Sequence, residues 1–133
     1  MLFAAILAKV NKLLRLNIEE IRNYCLLKKG TEECFPFDQD TLVFKVAGKM
    51  FLLANINSNP LTFNVKCEPQ KALELREKYG FVLPGYHINK SHWNTIVCNE
   101  NVQRNLLLGF IDDSYNLILD SLSKKTKRNF LLD

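Results

Sequence analysis

Thr41-Leu42-Val43-Phe44-Lys45-Val46-Ala47-Gly48-Lys49-Met50-Phe51 decides the fold. Leu42, Phe44 and Val46 alternate with Thr41, Val43 and Lys45, the period of two that gives a strand one buried and one wet face. Gly48 supplies a turn and Met50 to Ile56 returns, so Thr41 to Ile56 is expected to form a hairpin. The returning stretch Phe51-Leu52-Leu53-Ala54, with Ile56, is apolar on both faces and needs cover on both. Asn57-Ser58-Asn59-Pro60 is a dense turn. A third strand follows, with Leu61, Phe63 and Val65 pointing one way and Thr62, Asn64 and Lys66 the other. Links this short favour antiparallel pairing.

Helical patterns flank these strands. Asn17-Ile18-Glu19-Glu20 is a capping box, Ile18, Ile21, Tyr24 and Cys25 then share one face, and Gly30 ends the helix. Pro69 suits the first turn of a second helix, continued by Ala72, Leu73, Leu75, Arg76 and Tyr79 and stopped by Gly80. A last helix is expected from about Asn101 to Leu122, with Leu107, Ile111, Ile118 and Leu122 on one stripe. The fold class is α+β: a two-layer domain with helices packed on one face of an antiparallel sheet.

Composition bounds the rest. With 133 residues, 47% of them hydrophobic and 24% charged, the chain is expected to be one globular domain with a core that needs no metal or disulfide. A net charge of +4 permits a polyanionic partner without requiring one. The four cysteines, Cys25, Cys34, Cys67 and Cys98, form no C-x-x-C pair and have no histidine at metal-ligand spacing. They read as reduced, buried thiols of a cytoplasmic protein rather than as a disulfide or a metal site. The apolar start Met1 to Ala8 has no preceding Lys or Arg, so it lacks the form of a secretory signal, and it is too short to span a bilayer. Leu2/Phe3, Ile6/Leu7, Val10 and Leu13/Leu14 recur at helical spacing between Lys9, Lys12 and Arg15, as in an amphipathic helix or a helix docked on its own domain.

Chemistry concentrates in Pro84-Gly85-Tyr86-His87-Ile88-Asn89-Lys90-Ser91-His92-Trp93-Asn94-Thr95. Both histidines, the only tryptophan, a lysine and two asparagines fall within these twelve residues. Such density makes either a binding surface or a polar network that fixes a tight loop. His87 and His92 lack the further ligands that a metal site needs. Trp93 either stacks on a base or anchors a core while its N–H finds a partner. Phe35-Pro36-Phe37-Asp38 reads as a turn with aromatic plugs into the core, and Asp38 and Asp40 as turn and cap residues rather than a catalytic pair. No nucleophile elbow, phosphate loop, dinucleotide fingerprint or zinc motif is present, so the chain reads as a non-enzyme without cofactor, metal or small-molecule substrate.

Five segments in register resemble the MmcQ/YjbR family: Asn17-Ile18-Glu19-Glu20-Ile21-Arg22, Phe35-Pro36-Phe37-Asp38, Thr41 to Phe51, Lys66-Cys67-Glu68-Pro69, and Pro84-Gly85-Tyr86-His87 through Lys90 with His92-Trp93-Asn94-Thr95. The resemblance covers roughly residues 17–122. It implies an α-β(3)-α-β(2)-α order, similar to secretion-chaperone and frataxin-like architectures, with a strand near Tyr86–Ile88. It also implies DNA binding of the double-wing type, although fold alone does not fix function. Iron binding of the frataxin kind is disfavoured, because Glu19 and Glu20 share the first helix with Arg22, Lys28 and Lys29.

Under that resemblance, contacts would be mainly to phosphates, with Lys45, Asn64 and Lys66 on the wet sheet face and Lys49 at the hairpin wing. His87, Asn89, Lys90, His92, Trp93 and Asn94 would contribute from the polar loop. The alternative is a protein–protein adaptor with a chaperone-like fold, motivated by the doubly apolar strand at Phe51–Ile56. No membrane partner is expected. The domain is expected to span residues 17–123, with 124–133 a basic tail and 1–16 an extension. Family members usually begin near Leu16-Asn17, so residues 1–16 read as a mis-assigned start or an amphipathic helix.

Overall fold

A computed structural model describes residues 2–6, 15–99 and 102–132. Its elements are α1 (Ile18–Leu26), β1 (Thr31–Cys34), β2 (Thr41–Val46), β3 (Lys49–Asn55), β4 (Thr62–Lys66), α2 (Pro69–Lys78), β5 (Val82–Pro84), β6 (Trp93–Val97), α3 (Arg104–Ser121) and α4 (Lys124–Leu132). The strands form one six-stranded sheet in the order β1-β2-β3-β4-β6-β5, antiparallel throughout. The α+β architecture is as the sequence implies, but the order is corrected: four strands rather than three precede α2, and the later short strand sits earlier than expected. β1 precedes the hairpin, and the later short strand lies at Val82–Pro84 while residues 86–88 form a bend. Residues 124–132 are helical rather than a plain tail, and residues 7–14 of the extension lie outside the described residues.

Asn17 caps α1 in both directions: its Oδ1 accepts from the Glu20 N–H and its Nδ2 donates to Glu20 Oε1, each at 2.9 Å. Leu42, Phe44 and Val46 face the helices, together with Phe63 and Val65 of β4 and Ile96 of β6. α3 lays Leu107, Phe110, Ile111, Tyr115 and Ile118 on them, and α1 adds Ile21 and Cys25.

The returning strand satisfies its doubly apolar sequence with a bulge. Pairing steps from Phe44↔Leu52 to Lys45↔Met50, so Phe51 is the extra residue and both Phe51 and Leu52 lie in the core of the helix side. Ser114 of α3, fully buried, serves the irregular backbone: its hydroxyl donates to the Phe51 carbonyl at 2.6 Å and accepts from the Lys66 N–H at 2.8 Å. Beyond the bulge, Leu53 turns to the second face and packs with Val43 and Trp93. The doubly apolar strand thus finds its second cover within the chain.

Three groups on the helix side of the sheet hold their protons tightly. Burial, reinforced by donation to Asp112 at 2.7 Å, pushes the Tyr24 phenol up to about 12. Burial pushes the thiols of Cys25 and Cys98 to about 12 as well. All four cysteines are free, and Cys34 is half-buried. Among the described residues, no helix is long and apolar enough to cross a membrane.

Candidate nucleic-acid interface

The sheet face opposite the helices carries an open groove of about 1120 Å³. Thr62, Asn64 and Thr95 of β4 and β6 give it a polar floor beside Leu53. Phe37 and Asp38 line it from the loop before β2, and Tyr86, His87, Ile88 and Lys90 from the loop before β6. Tyr86 is 71% exposed and stands against His87, with ring centroids 4.0 Å apart.

The groove exists because the 85–92 loop is pinned. A Cβ on Gly85 would come within 2.7 Å of Ile88 Cγ2 and 2.9 Å of the Trp93 carbonyl oxygen, so this close approach requires glycine. His87 takes a left-handed conformation with φ 55°. Asn89 Oδ1 accepts from the Ser91 N–H at 2.9 Å, and the His92 carbonyl accepts from the Cys67 N–H at 2.8 Å.

Arg76 of α2 holds the loop from below. Its Nε donates to Asn94 Oδ1 at 2.7 Å, and its Nη2 donates to the Trp93 carbonyl at 3.2 Å and to the Lys90 carbonyl. Sequence reasoning did not single it out as part of the site. The signal was its place on the inward stripe with Ala72 and Tyr79, where a guanidinium must have partners.

The residues proposed from sequence separate into groups. Asn64, His87 and Lys90 line the groove. Thr95 Oγ1 donates to Asn64 Oδ1 at 2.5 Å and accepts from the Tyr86 N–H at 3.1 Å, tying floor to wall. Lys45 and Lys66 share this face outside the groove lining, Lys45 opposite Glu32 and Met50, Lys66 opposite Trp93. Asn89 and His92 are exposed on the loop but outside the lining. Trp93 is 8% exposed and belongs to the apolar cluster with Val43 and Leu53. Asn94 is 1% exposed and turned toward the helices, where its Nδ2 donates to the Ala72 carbonyl. Lys49 also leaves the set: it pairs with the helix-facing Val46, and its Nζ reaches Ser121 Oγ at 3.5 Å.

Phe35 and Phe37 do not plug the core. They are 48% and 63% exposed, because Asp38 folds the loop into an Asx turn that carries the rings outward. Asp38 accepts from the Asp40 N–H at 2.8 Å and from the Thr41 N–H at 2.6 Å, bonds that hold its carboxyl below the ordinary carboxylate range. Asp40 is engaged by Asn57 Nδ2 at 2.8 Å, so both carboxylates are loop staples. Among the described residues, no three metal-ligating side chains come together.

Residues 26–117, from the end of α1 into α3, match the YjbR family model. The chain belongs to the YjbR family. It is 38% identical over 97 residues to YbdF of Escherichia coli O157:H7, covering 73% of this chain and 80% of that one. It is 26% identical over 113 residues to YjbR of Escherichia coli K12, covering 85% and 96%. The crystal structure of Deinococcus radiodurans protein DR2400, a DUF419 domain, superposes with a TM-score of 0.82 at 32% identity over 88% of each chain. These names establish the YjbR fold and state no activity.

Proposed function

We propose that this YjbR domain is a non-enzymatic nucleic-acid-binding module that takes an unpaired DNA strand in the groove of its open sheet face. The observation that carries this reading is the exposed Tyr86–His87 ring pair beside Lys90, over a floor of Thr62, Asn64 and Thr95. Flat, sequence-tolerant stacking surfaces combined with cations are what single strands require. Lys45 and Lys66, on the same face, add phosphate contacts at the groove's borders. A duplex fits this face less well, since its aromatic walls are suited to unstacked bases and Lys49 lies on the other layer. Affinity is modest and falls with salt.

The test is fluorescence anisotropy of a labelled single strand at two salt concentrations, with Tyr86→Ala, Lys90→Ala and Lys45→Ala/Lys66→Ala. Tyr86→Ala is expected to cost about 1–3 kcal/mol of binding through lost stacking, and the lysine changes to flatten the salt slope. No binding at low salt up to ~100 μM, the weak end of non-specific affinity, would overturn the proposal. The exposed rings of Phe35, Phe37 and Tyr86 would then favour the adaptor reading, with a protein segment seated in the groove.

A further inference from the structure

The chain's charge is not where the groove is. The whole protein has 18 Lys and Arg against 14 Asp and Glu. α4 alone, Lys-Lys-Thr-Lys-Arg-Asn-Phe-Leu-Leu, carries four cations and no carboxylate. The rest of the chain therefore has fourteen of each and is neutral: the entire formal excess of +4 sits on one nine-residue helix.

That helix is tied to the domain. Ser123 caps it, its Oγ accepting from the Thr126 N–H at 3.1 Å, and the Phe130 ring covers Gly30, where a Cβ would overlap it. Lys29 Nζ lies 5.9 Å from the same ring. Lys124, Lys125 and Arg128 are exposed, and among the described residues none of the three has a carboxylate partner. Lys127 alone is answered, by Asp120 at 3.5 Å, an ion pair open to solvent. The hairpin tip brings Lys49 to Ser121, at the foot of the same helix. Lys124 and Lys125 occupy the first turn of α4, where the backbone dipole disfavours cations, so helix stability does not account for their placement.

We infer that α4, with Lys49 and Lys29, is a second contact surface, which binds the phosphate backbone of a nucleic-acid duplex independently of the groove. A row of exposed cations on a docked helix is complementary to a regular line of phosphates. An anionic membrane is the other polyanion of this kind, but surface-lying helices need an apolar face to insert. Among the described side chains of α4, the large apolar one, Phe130, is committed to Gly30 and Lys29. Nothing in this inference requires the groove to bind a single strand.

The experiment is anisotropy of a labelled duplex and of a labelled single strand against the full chain, Lys124→Glu/Lys125→Glu/Arg128→Glu, the milder Gln set at the same positions, and Tyr86→Ala. Thermal melts check that each variant is folded. The duplex is expected to lose on the order of ten- to a hundredfold in affinity in the Glu set, less in the Gln set, with a salt slope reduced by about one per cation removed, while Tyr86→Ala leaves it unchanged. Duplex affinity that survives both folded sets would overturn the inference even if the single strand still binds. So would equal or tighter binding to vesicles of anionic phospholipid. Loss of single-strand binding alone would refute the groove and leave this surface standing.

Discussion

Arg76 is the residue on which the 85–92 loop should depend. Replacing it by alanine removes donors to three acceptors, whose costs differ. The Lys90 residue is exposed, so water can serve its carbonyl. The Trp93 carbonyl keeps the Gly85 N–H at 3.0 Å. Asn94 Oδ1 is the acceptor left without relief, on a residue 1% exposed, and an orphaned buried group costs about 1–3 kcal/mol. Adding the lost packing of the Arg stem against the loop, Arg76→Ala should destabilise by about 2–3 kcal/mol, near 10 °C in Tm for a domain of this size. Lysine should recover less than half, because one ammonium cannot reproduce the fork. The double variant Arg76→Met/Asn94→Leu should recover more, because it removes donor and acceptor together. The single tryptophan reports locally: once the loop loosens, Trp93 emission should shift to the red before global unfolding, with faster amide exchange over residues 86–92. An Arg76→Ala protein that melts within ~2 °C of the parent, a shift worth well under 1 kcal/mol, with unchanged exchange in the loop, would refute the pinning argument.

Three further outcomes follow from other contacts. Ser114→Ala strips the Phe51 carbonyl and the Lys66 N–H of their buried partner and should cost about 1–3 kcal/mol in a urea titration with no change in m value. Ala47→Asn should raise stability by about 0.5–1 kcal/mol, read as a higher Tm, because Ala47 and Gly48 both have positive φ (50° and 78°), the geometry of a type I′ turn for which Asn-Gly is preferred. Stability should be full below pH 9 and fall as pH rises from 9 toward 12, since unfolded Cys25, Cys98 and Tyr24 release protons from ordinary values of 9 and 10 while the folded groups hold them to about 12. Cys25→Ala should make that alkaline loss shallower in pH-dependent denaturant melts.

What could be read from sequence was local. The cap at Asn17, the hairpin over Thr41 to Ile56 and the alternation of Phe63 and Val65 against Asn64 and Lys66 are each specified within a few residues of themselves. β1 escaped because Thr-Glu-Glu-Cys carries no apolar alternation: Glu33 is held by Arg22 of α1 at 2.7 and 2.6 Å, and the strand exists through its pairing with β2. β5 is three residues long and is defined by β6, so the turn signal at Pro84-Gly85 marks its end rather than a strand after it. Of the candidate site, Asn64, His87 and Lys90 converge as their positions suggested. Asn94 and Lys49 do not. Asn94 follows the sheet's alternation to the helix side through its register with Val65, and Lys49 does so through its register with Val46. Both are facts of pairing, which no short window contains.

The bulge at Phe51 decides how the groove can exist at all. Continued without it, the register that pairs Lys45 with Met50 would set Phe51 opposite Phe44 and Leu52 opposite Val43, and would carry Leu53 to the helix side. The extra residue keeps two large side chains in the core, and beyond it Leu53 crosses to the second face, where Val43 and Trp93 cover it. Trp93 can do this because its loop is drawn back over the sheet by Gly85 and Arg76. The same fold-back raises Tyr86 and His87 beside the floor formed by Asn64 and Thr95. Covering the core and building the groove are therefore one operation, and the sole tryptophan serves it by packing rather than by stacking on a ligand. The rings that stand exposed at the groove are Phe37, Tyr86 and His87.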